Sequence, residues 1–298
     1  MKIIVSGASG LIGTALVADQ MAAGHEVVRL VRAHRPETSG VACWNPEAGE
    51  LDPCILDKAD AMVHLSGENI AQGRWSAARK ARIRDSRVKS TECVVQALLH
   101  AANPPKTFLC ASAIGFYGSR GDERLTETSG PGTGFLAEVC QAWETATHPA
   151  SDRGIRVVNL RFGMVLSGAG GALRAMLPAF RLGMGGIVGN GRQYMSWIAI
   201  DDLVAAIRLL LHNESLSGPV NIVSPHPVAN SAFTKTLGRI LHRPAIIPVP
   251  AFAIRLALGE MADALLLSSQ RVEPARLLGA GFAFQYPDLE AALKQCLA

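Results

Sequence analysis

The first 160 residues alternate short apolar runs with longer stretches in which apolar positions recur every three or four residues. That alternation is the pattern of a parallel sheet wrapped by helices. It predicts strands at Lys2–Ser6, Glu26–Val31, Val41–Trp44, Ala61–Leu65, Thr107–Ala111 and Ile155–Leu160, with a seventh at Pro219–Val223. Helices are predicted at Leu11–Ala23, Ser76–Ala102 and Gly134–Thr147, the first closed by Gly24 in the position where helices stop. From Ser167 to Tyr194 the composition turns to glycine-rich loops, Ser167–Gly171 and Gly183–Gly191, around a helical stretch at Ala172–Leu182. The chain returns through Trp197–Leu211, where Asp201 and Asp202 open a helix, and after Pro225 and Pro227 it ends in a mostly helical tail. The expected fold class is α/β, a Rossmann-type doubly wound parallel sheet with a smaller, mostly helical substrate lobe built from two segments. Residues 1–167 plus 197–224 form the sheet domain in this reading, and 168–196 plus 225–298 form the lobe.

Composition narrows the function classes. With 49% hydrophobic and 18% charged residues over 298 positions, the chain has the apolar content for a sizeable core, which excludes disorder as its main state. Every apolar run breaks before the 18 or so residues that a membrane-spanning helix needs. No basic, apolar and small-residue signal precedes the first strand, so a cytoplasmic location is expected. Cys43, Cys54, Cys93, Cys110, Cys140 and Cys296 are scattered without ligand spacing, so neither a zinc site nor a disulfide scaffold is expected. Lysine plus arginine (29) exceed aspartate plus glutamate (25) only slightly, a balance that suits an anionic small molecule better than nucleic acid. The local exception runs from Arg74 to Lys89, seven basic residues against Asp85, read as a solvated helix face with RNA binding as the lesser reading. No membrane or nucleic-acid partner is expected, and a homodimer stays open.

The strongest motif is Gly7-Ala8-Ser9-Gly10-Leu11-Ile12-Gly13, placed directly between a strand and a helix. Gly7 serves the tight turn, Gly10 lets backbone amides approach a pyrophosphate, and Gly13 lets helix and strand pack closely. Ser9 adds a hydroxyl to this cradle. About 20 residues further on, where a carboxylate would hold the adenosine ribose diol, stand Arg32 and Arg35. A cation there suits a 2′-phosphate, so the cofactor expected is NADP(H), with Arg32 as a plain surface cation the alternative.

These glycines, Val63-His64-Leu65-Ser66-Gly67 at the fourth strand and Ser112-Ala113-Ile114-Gly115-Phe116-Tyr117-Gly118 after the fifth make the chain resemble extended short-chain dehydrogenase/reductases, the relatives of nucleotide-sugar epimerases and dehydratases. Ser66-Gly67-Glu68-Asn69-Ile70, Ile83-Arg84-Asp85-Ser86-Arg87, Gly189-Asn190-Gly191-Arg192-Gln193, Ser196-Trp197-Ile198, Pro248-Val249-Pro250 and Gly259-Glu260-Met261 resemble one branch of that group. That branch is the "epimerase family protein" group with its own carboxy-terminal domain. The resemblance implies cofactor contacts from Gly7, Ser9, Gly10, Leu11, Ile12, Gly13, Leu65, Ser66 and Gly67.

It also implies a YxxxK pair on the helix after the fifth strand, in which tyrosine exchanges a proton and lysine holds the nicotinamide ribose. Setting the glutamate that follows that lysine by four on Glu144 puts Leu136 at the tyrosine position and Cys140 at the lysine position. Leucine exchanges no proton. Ser112 lies one residue before the usual catalytic serine, its hydroxyl aimed at the nicotinamide or capping a turn. The substitute acids within reach are Tyr117, Glu68, Glu138 and Cys140, so the candidate catalytic residues are Ser112 and Tyr117. Met164 and Met195 replace the asparagine and diphosphate-clamping arginine of sugar-nucleotide enzymes, with Arg192 three residues from the latter. Losing that clamp forfeits about 1.5–3 kcal/mol, which argues against a nucleoside-diphosphate sugar. Two functions remain open: an NADP(H)-dependent epimerase or oxidoreductase-like enzyme acting on an unknown small molecule, and a non-catalytic NADP(H)-binding sensor or partner-binding protein.

Overall fold

The computed structural model describes residues 1–32 and 39–297. Seven strands form its main sheet: β1 (Lys2–Ser6), β2 (Glu26–Val31), β3 (Val41–Cys43), β4 (Ala61–His64), β5 (Thr107–Ala113), β6 (Arg156–Phe162) and β7 (Gly218–Ile222). All pairings are parallel and the order is β7-β6-β5-β4-β1-β2-β3. The chain builds outward from β1 to β3, returns to lay β4 against the other side of β1, and so opens a crevice at the carboxyl ends of β1 and β4.

Period-two alternation splits the strand residues between two cores. Ile3, Val5, Ala61, Val63, Leu109, Val158 and Leu160 join one apolar cluster with helices α1 (Leu11–Ala22) and α6 (Ile200–His212). Ile4, Met62, Phe108, Cys110 and Val157 join the opposite one with α2 (Ala77–His100), α3 (Phe135–Thr145) and α4 (His148–Asp152). Strands covered on both faces read as unbroken apolar runs, and β4 is buried at all four positions. Gly24 takes φ +79° just past α1, the left-handed stop that its place in the sequence predicts.

A third cluster gathers Leu166, Leu173, Leu177, Phe180, Trp197, Phe233, Leu237, Leu289 and Leu293. It draws on α5 (Gly171–Arg181), α7 (Asn230–Ile240) and α10 (Leu289–Leu297). The tail also holds α8 (Ala251–Leu258), a π-helical turn at Ala262–Leu266 and α9 (Ala275–Gly279). Three small two-stranded pairs absent from the sequence reading lie outside the main sheet, and the last of them ties the tail to the segment after β5. Met164–Leu166 runs parallel to Trp197–Ala199, Tyr194–Met195 antiparallel to Val228–Ala229, and Arg124–Leu125 parallel to Arg271–Val272. Among the described residues, no helix is long and apolar enough to cross a membrane, and no group of three or more His, Cys, Asp or Glu could hold a metal ion.

Candidate functional site

The glycine turn sits at the carboxyl end of β1. Gly7 has φ +68°, and a β-carbon there would meet the Leu65 carbonyl at 2.7 Å and the Ser66 nitrogen at 2.8 Å. The turn and the segment leaving β4 therefore meet across the crevice. A β-carbon on Gly13 would collide with the Gly7 carbonyl oxygen and lie 2.8 Å from Ala8 Cα, so only glycine lets α1 pack this close. Gly10 is the residue capping α1, with no side chain hydrogen-bonding the first-turn amides and no acid in that turn. Unpaired amides at the positive end of a twelve-residue helix, beside a turn that no side chain fills, suit a pyrophosphate.

Around this cradle Ser9 and Gly10 are exposed and Leu11 and Ile12 half-buried. Leu11 packs toward the lobe, where a β-carbon on Gly170 would lie 3.3 Å from its Cδ1. Arg32 directly follows β2 and is exposed. Arg35 lies outside the described residues.

The segment after β4 is pinned by α2. Ser86 Oγ accepts from the Glu68 amide (3.1 Å), Arg87 Nη2 donates to the Glu68 carbonyl (3.1 Å), and Arg79 bonds both the Glu68 carboxylate and the Asn69 carbonyl. The basic run from Arg74 to Lys89 is thus only in part a solvated face. Arg74 reaches the Leu256 and Ala257 carbonyls at the end of α8, and Lys80 pairs with Glu260 at 2.8 Å. Arg84 and Lys89 stay on the exposed side beside Asp85. Beneath the segment, fully buried His64 hydrogen-bonds both neighbours, with Nδ1 2.6 Å from Ser6 Oγ and Nε2 3.1 Å from Ser90 Oγ. Burial pulls its pKa down to about 3, so the ring is neutral.

At the far end of the crevice α3 packs on the turn Ile114–Tyr117. A β-carbon on Gly115 would lie 3.3 Å from Leu136 Cβ and 3.6 Å from Cys140 Sγ. Leu136 and Cys140 therefore occupy the face of α3 that looks at this turn, one helical turn apart. Burial pushes the Cys140 thiol up to about 12, followed by the Glu144 charge, so it offers no thiolate near neutrality. Glu138 is exposed on another face, and Glu68 is held in its ion pair with Arg79.

Both hydroxyls put forward from the sequence are engaged by buried partners. Ser112, 2% exposed, neither caps a turn nor stands free, because it donates to Glu144 Oε1 at 2.7 Å. Arg161 on β6 clamps the same carboxylate with two 2.8 Å bonds, from Nε to Oε1 and from Nη2 to Oε2. Its Nη1 donates to Tyr117 Oη (2.9 Å), which in turn donates to Asn221 Oδ1 (2.7 Å). The guanidinium also lies 3.5 Å over the Phe116 ring. Tyr117 has no exposed surface, and burial raises its pKa despite the opposing Arg161 charge. An arginine buried within the sheet demands a carboxylate and further acceptors; Glu144 and the Tyr117 hydroxyl supply them, while the Ser112 hydroxyl donates to the same Glu144 carboxylate. The sequence reading missed Arg161, Glu144 as its partner, and Asn221; the signal was an arginine inside the apolar run Val157-Val158-Asn159-Leu160-Arg161-Phe162. Toward the lobe, Met195 Sδ accepts from Asn230 Nδ2 at 3.5 Å, while Arg192 is exposed.

Comparison with known proteins agrees with this architecture. An "Epimerase family protein" of Mycobacterium tuberculosis is 48% identical over 98% of this chain and 96% of its own length. The human "Epimerase family protein SDR39U1" is 35% identical over the whole of both chains. A crystal structure of the human protein (isoform 2) with NADPH superposes with a TM-score of 0.91 at 34% identity, covering 99% of each chain. A "nucleoside-diphosphate sugar epimerase" from Corynebacterium glutamicum gives 0.83 at 39% identity, over all of this chain and 58% of that one. Residues 249–296 match a domain of unknown function, DUF1731. With residues 3–223 matching the family of NAD dependent epimerases and dehydratases, the chain belongs to that family.

Proposed function

We propose that this protein binds NADP(H) across the carboxyl ends of β1, β4 and β5 and does not epimerise nucleotide sugars, acting instead through cofactor occupancy as a sensor or partner-binding protein. The carrying observation is that the Ser112 and Tyr117 hydroxyls are spent on the Glu144–Arg161 pair, and it is supported by Leu136 and Cys140, the residues that the resemblance sets at the acid/base positions, packing against the Ile114–Tyr117 turn. The NADPH held by the similar human protein supports the choice of dinucleotide.

In this reading the amides of Leu11, Ile12 and Gly13 and the Ser9 hydroxyl hold the pyrophosphate. Arg32, joined by Arg35, holds the 2′-phosphate, and Leu65, Ser66 and Gly67 line the crevice. When bound, NADPH supplies a hydride. Moving it to or from a carbinol carbon requires proton exchange at the oxygen, and none of Leu136, Cys140, Glu68 and Glu138 is placed to provide it. The segments 168–196 and 225–298 form the lobe over the crevice, and Met195 gives a diphosphate no clamp.

Titration by nicotinamide fluorescence, with a coupled assay for UDP-glucose and UDP-galactose interconversion, tests the proposal. NADPH is expected to bind at least about tenfold more tightly than NADH, or ~1.4 kcal/mol, with negligible conversion. Conversion at an ordinary turnover of ~1–1000 per second would overturn it.

A further inference from the structure

We infer that Arg87, carried on α2, supplies the cation at the nicotinamide-ribose end of the crevice that the YxxxK lysine supplies in the dehydrogenases this chain resembles, donating to the vicinal ribose hydroxyls. The inference rests on the NADP(H) reading. Helix α3, with the sequence Phe-Leu-Ala-Glu-Val-Cys-Gln-Ala-Trp-Glu-Thr, contains no lysine or arginine, so a cation there has to come from another element. Two guanidinium groups exert their charge on the Cys140 thiol, those of Arg87 and Arg161. Arg161 has its charge neutralised by the buried two-bond ion pair with Glu144. That leaves Arg87.

Its placement fits the task. The Arg87 Cζ lies 5.2 Å from the centre of the Trp143 ring, and Trp143 follows Cys140 by one helical turn. A β-carbon on Gly67 would lie 3.3 Å from the same Cζ, so the glycine ending the β4 turn makes room for the guanidinium. Arg87 thus bridges the turn after β4 and the helix that elsewhere carries the lysine. Backbone carbonyls fix it, with Nη1 donating to Ile83 (3.0 Å) and Nη2 to Glu68 (3.1 Å). Nη1 also lies 3.5 Å from Ser86 Oγ; none of these bonds goes to a carboxylate, among the described residues Arg87 makes no ion pair, and a guanidinium with five N–H donors keeps some for a ligand.

Arg87→Gln removes the charge while leaving an amide able to donate to the Glu68 carbonyl. Fluorescence and calorimetric titration should show NADPH affinity falling at least about tenfold, with 2′,5′-ADP, which lacks the nicotinamide half, bound as by the wild type. Adding Cys140→Lys to that variant returns a cation to α3 and should recover most of the loss. Equal weakening for NADPH and 2′,5′-ADP would reduce Arg87 to a brace for the β4 segment, and unchanged NADPH affinity would remove its role; either result overturns the inference. Should Arg87→Gln fail to fold, Arg87→Lys decides: NADPH affinity held within about threefold supports a charge role, and a tenfold loss refutes it. Wild-type protein that bound neither NADPH nor 2′,5′-ADP would instead sink the cofactor reading itself.

Discussion

Replacing Tyr117 by phenylalanine separates a structural hydroxyl from a catalytic one. The substitution keeps the ring, its edge contact with Phe116 at 5.4 Å and its place in the cluster with Ile114, Leu125, Val223 and Val272. It deletes one oxygen that accepts from Arg161 at 2.9 Å and donates to Asn221 at 2.7 Å. Both partners are buried, Arg161 at 3% exposure and Asn221 at 0%, so water cannot replace the hydroxyl without opening the core. An unsatisfied buried group costs about 1–3 kcal/mol. Arg161 keeps its two bonds to Glu144, and Asn221 keeps Nδ2 on the Glu273 carbonyl, so the loss falls on one donor and one acceptor and sums to about 2–6 kcal/mol. At roughly 2 °C per kcal/mol for a chain of this size, Tm should fall by about 4–12 °C. Thermal and urea unfolding measure the fall, and NADPH titration of the folded variant should return the wild-type Kd. A variant of unchanged Tm that lost cofactor binding or a measurable turnover would refute the reasoning, because the hydroxyl would then face the crevice.

Burial of neutral His64 makes stability depend on pH. Its folded pKa of about 3 lies below the ordinary 6.5, so the unfolded chain takes up a proton that the folded one refuses as pH falls between those values. The stability gained by keeping the ring neutral is complete above about pH 6.5 and is lost toward pH 3, by at most about 5 kcal/mol. Urea midpoints of wild type and His64→Gln should converge as pH drops from 7.5 to 5, and a constant gap would contradict the assignment. In the glycine turn, Gly13→Ala should cost about 1–3 kcal/mol and most NADPH affinity, because a methyl there meets backbone. Gly10→Ala, whose methyl would sit 3.3 Å from the Gly7 carbonyl, should fold nearly normally, and equal stability losses for the two would show that α1 relaxes freely. Arg32→Asp should erase the preference for NADPH over NADH in a fluorescence titration, and a preserved preference would move the 2′-phosphate elsewhere.

The sheet was legible because its determinants are local. Runs such as Lys2–Ser6 and Glu26–Val31 carry their own period, and the observed strands match those bounds. The glycine turn was legible too, since its backbone geometry is imposed within seven residues. Partner choice was not. Arg161 selects Glu144 from 17 residues away, Tyr117 finds Asn221 across 104, and Arg87 meets Gly67 only because α2 is laid against the turn after β4. The pairings of Arg124–Leu125 with Arg271–Val272, and of Arg74 with the end of α8, likewise join segments far apart in the chain. A hydroxyl near a motif looks available when read in sequence. Whether it is depends on which buried charge lies within 3 Å, because in a low-dielectric core an arginine takes every acceptor it can reach before a substrate does.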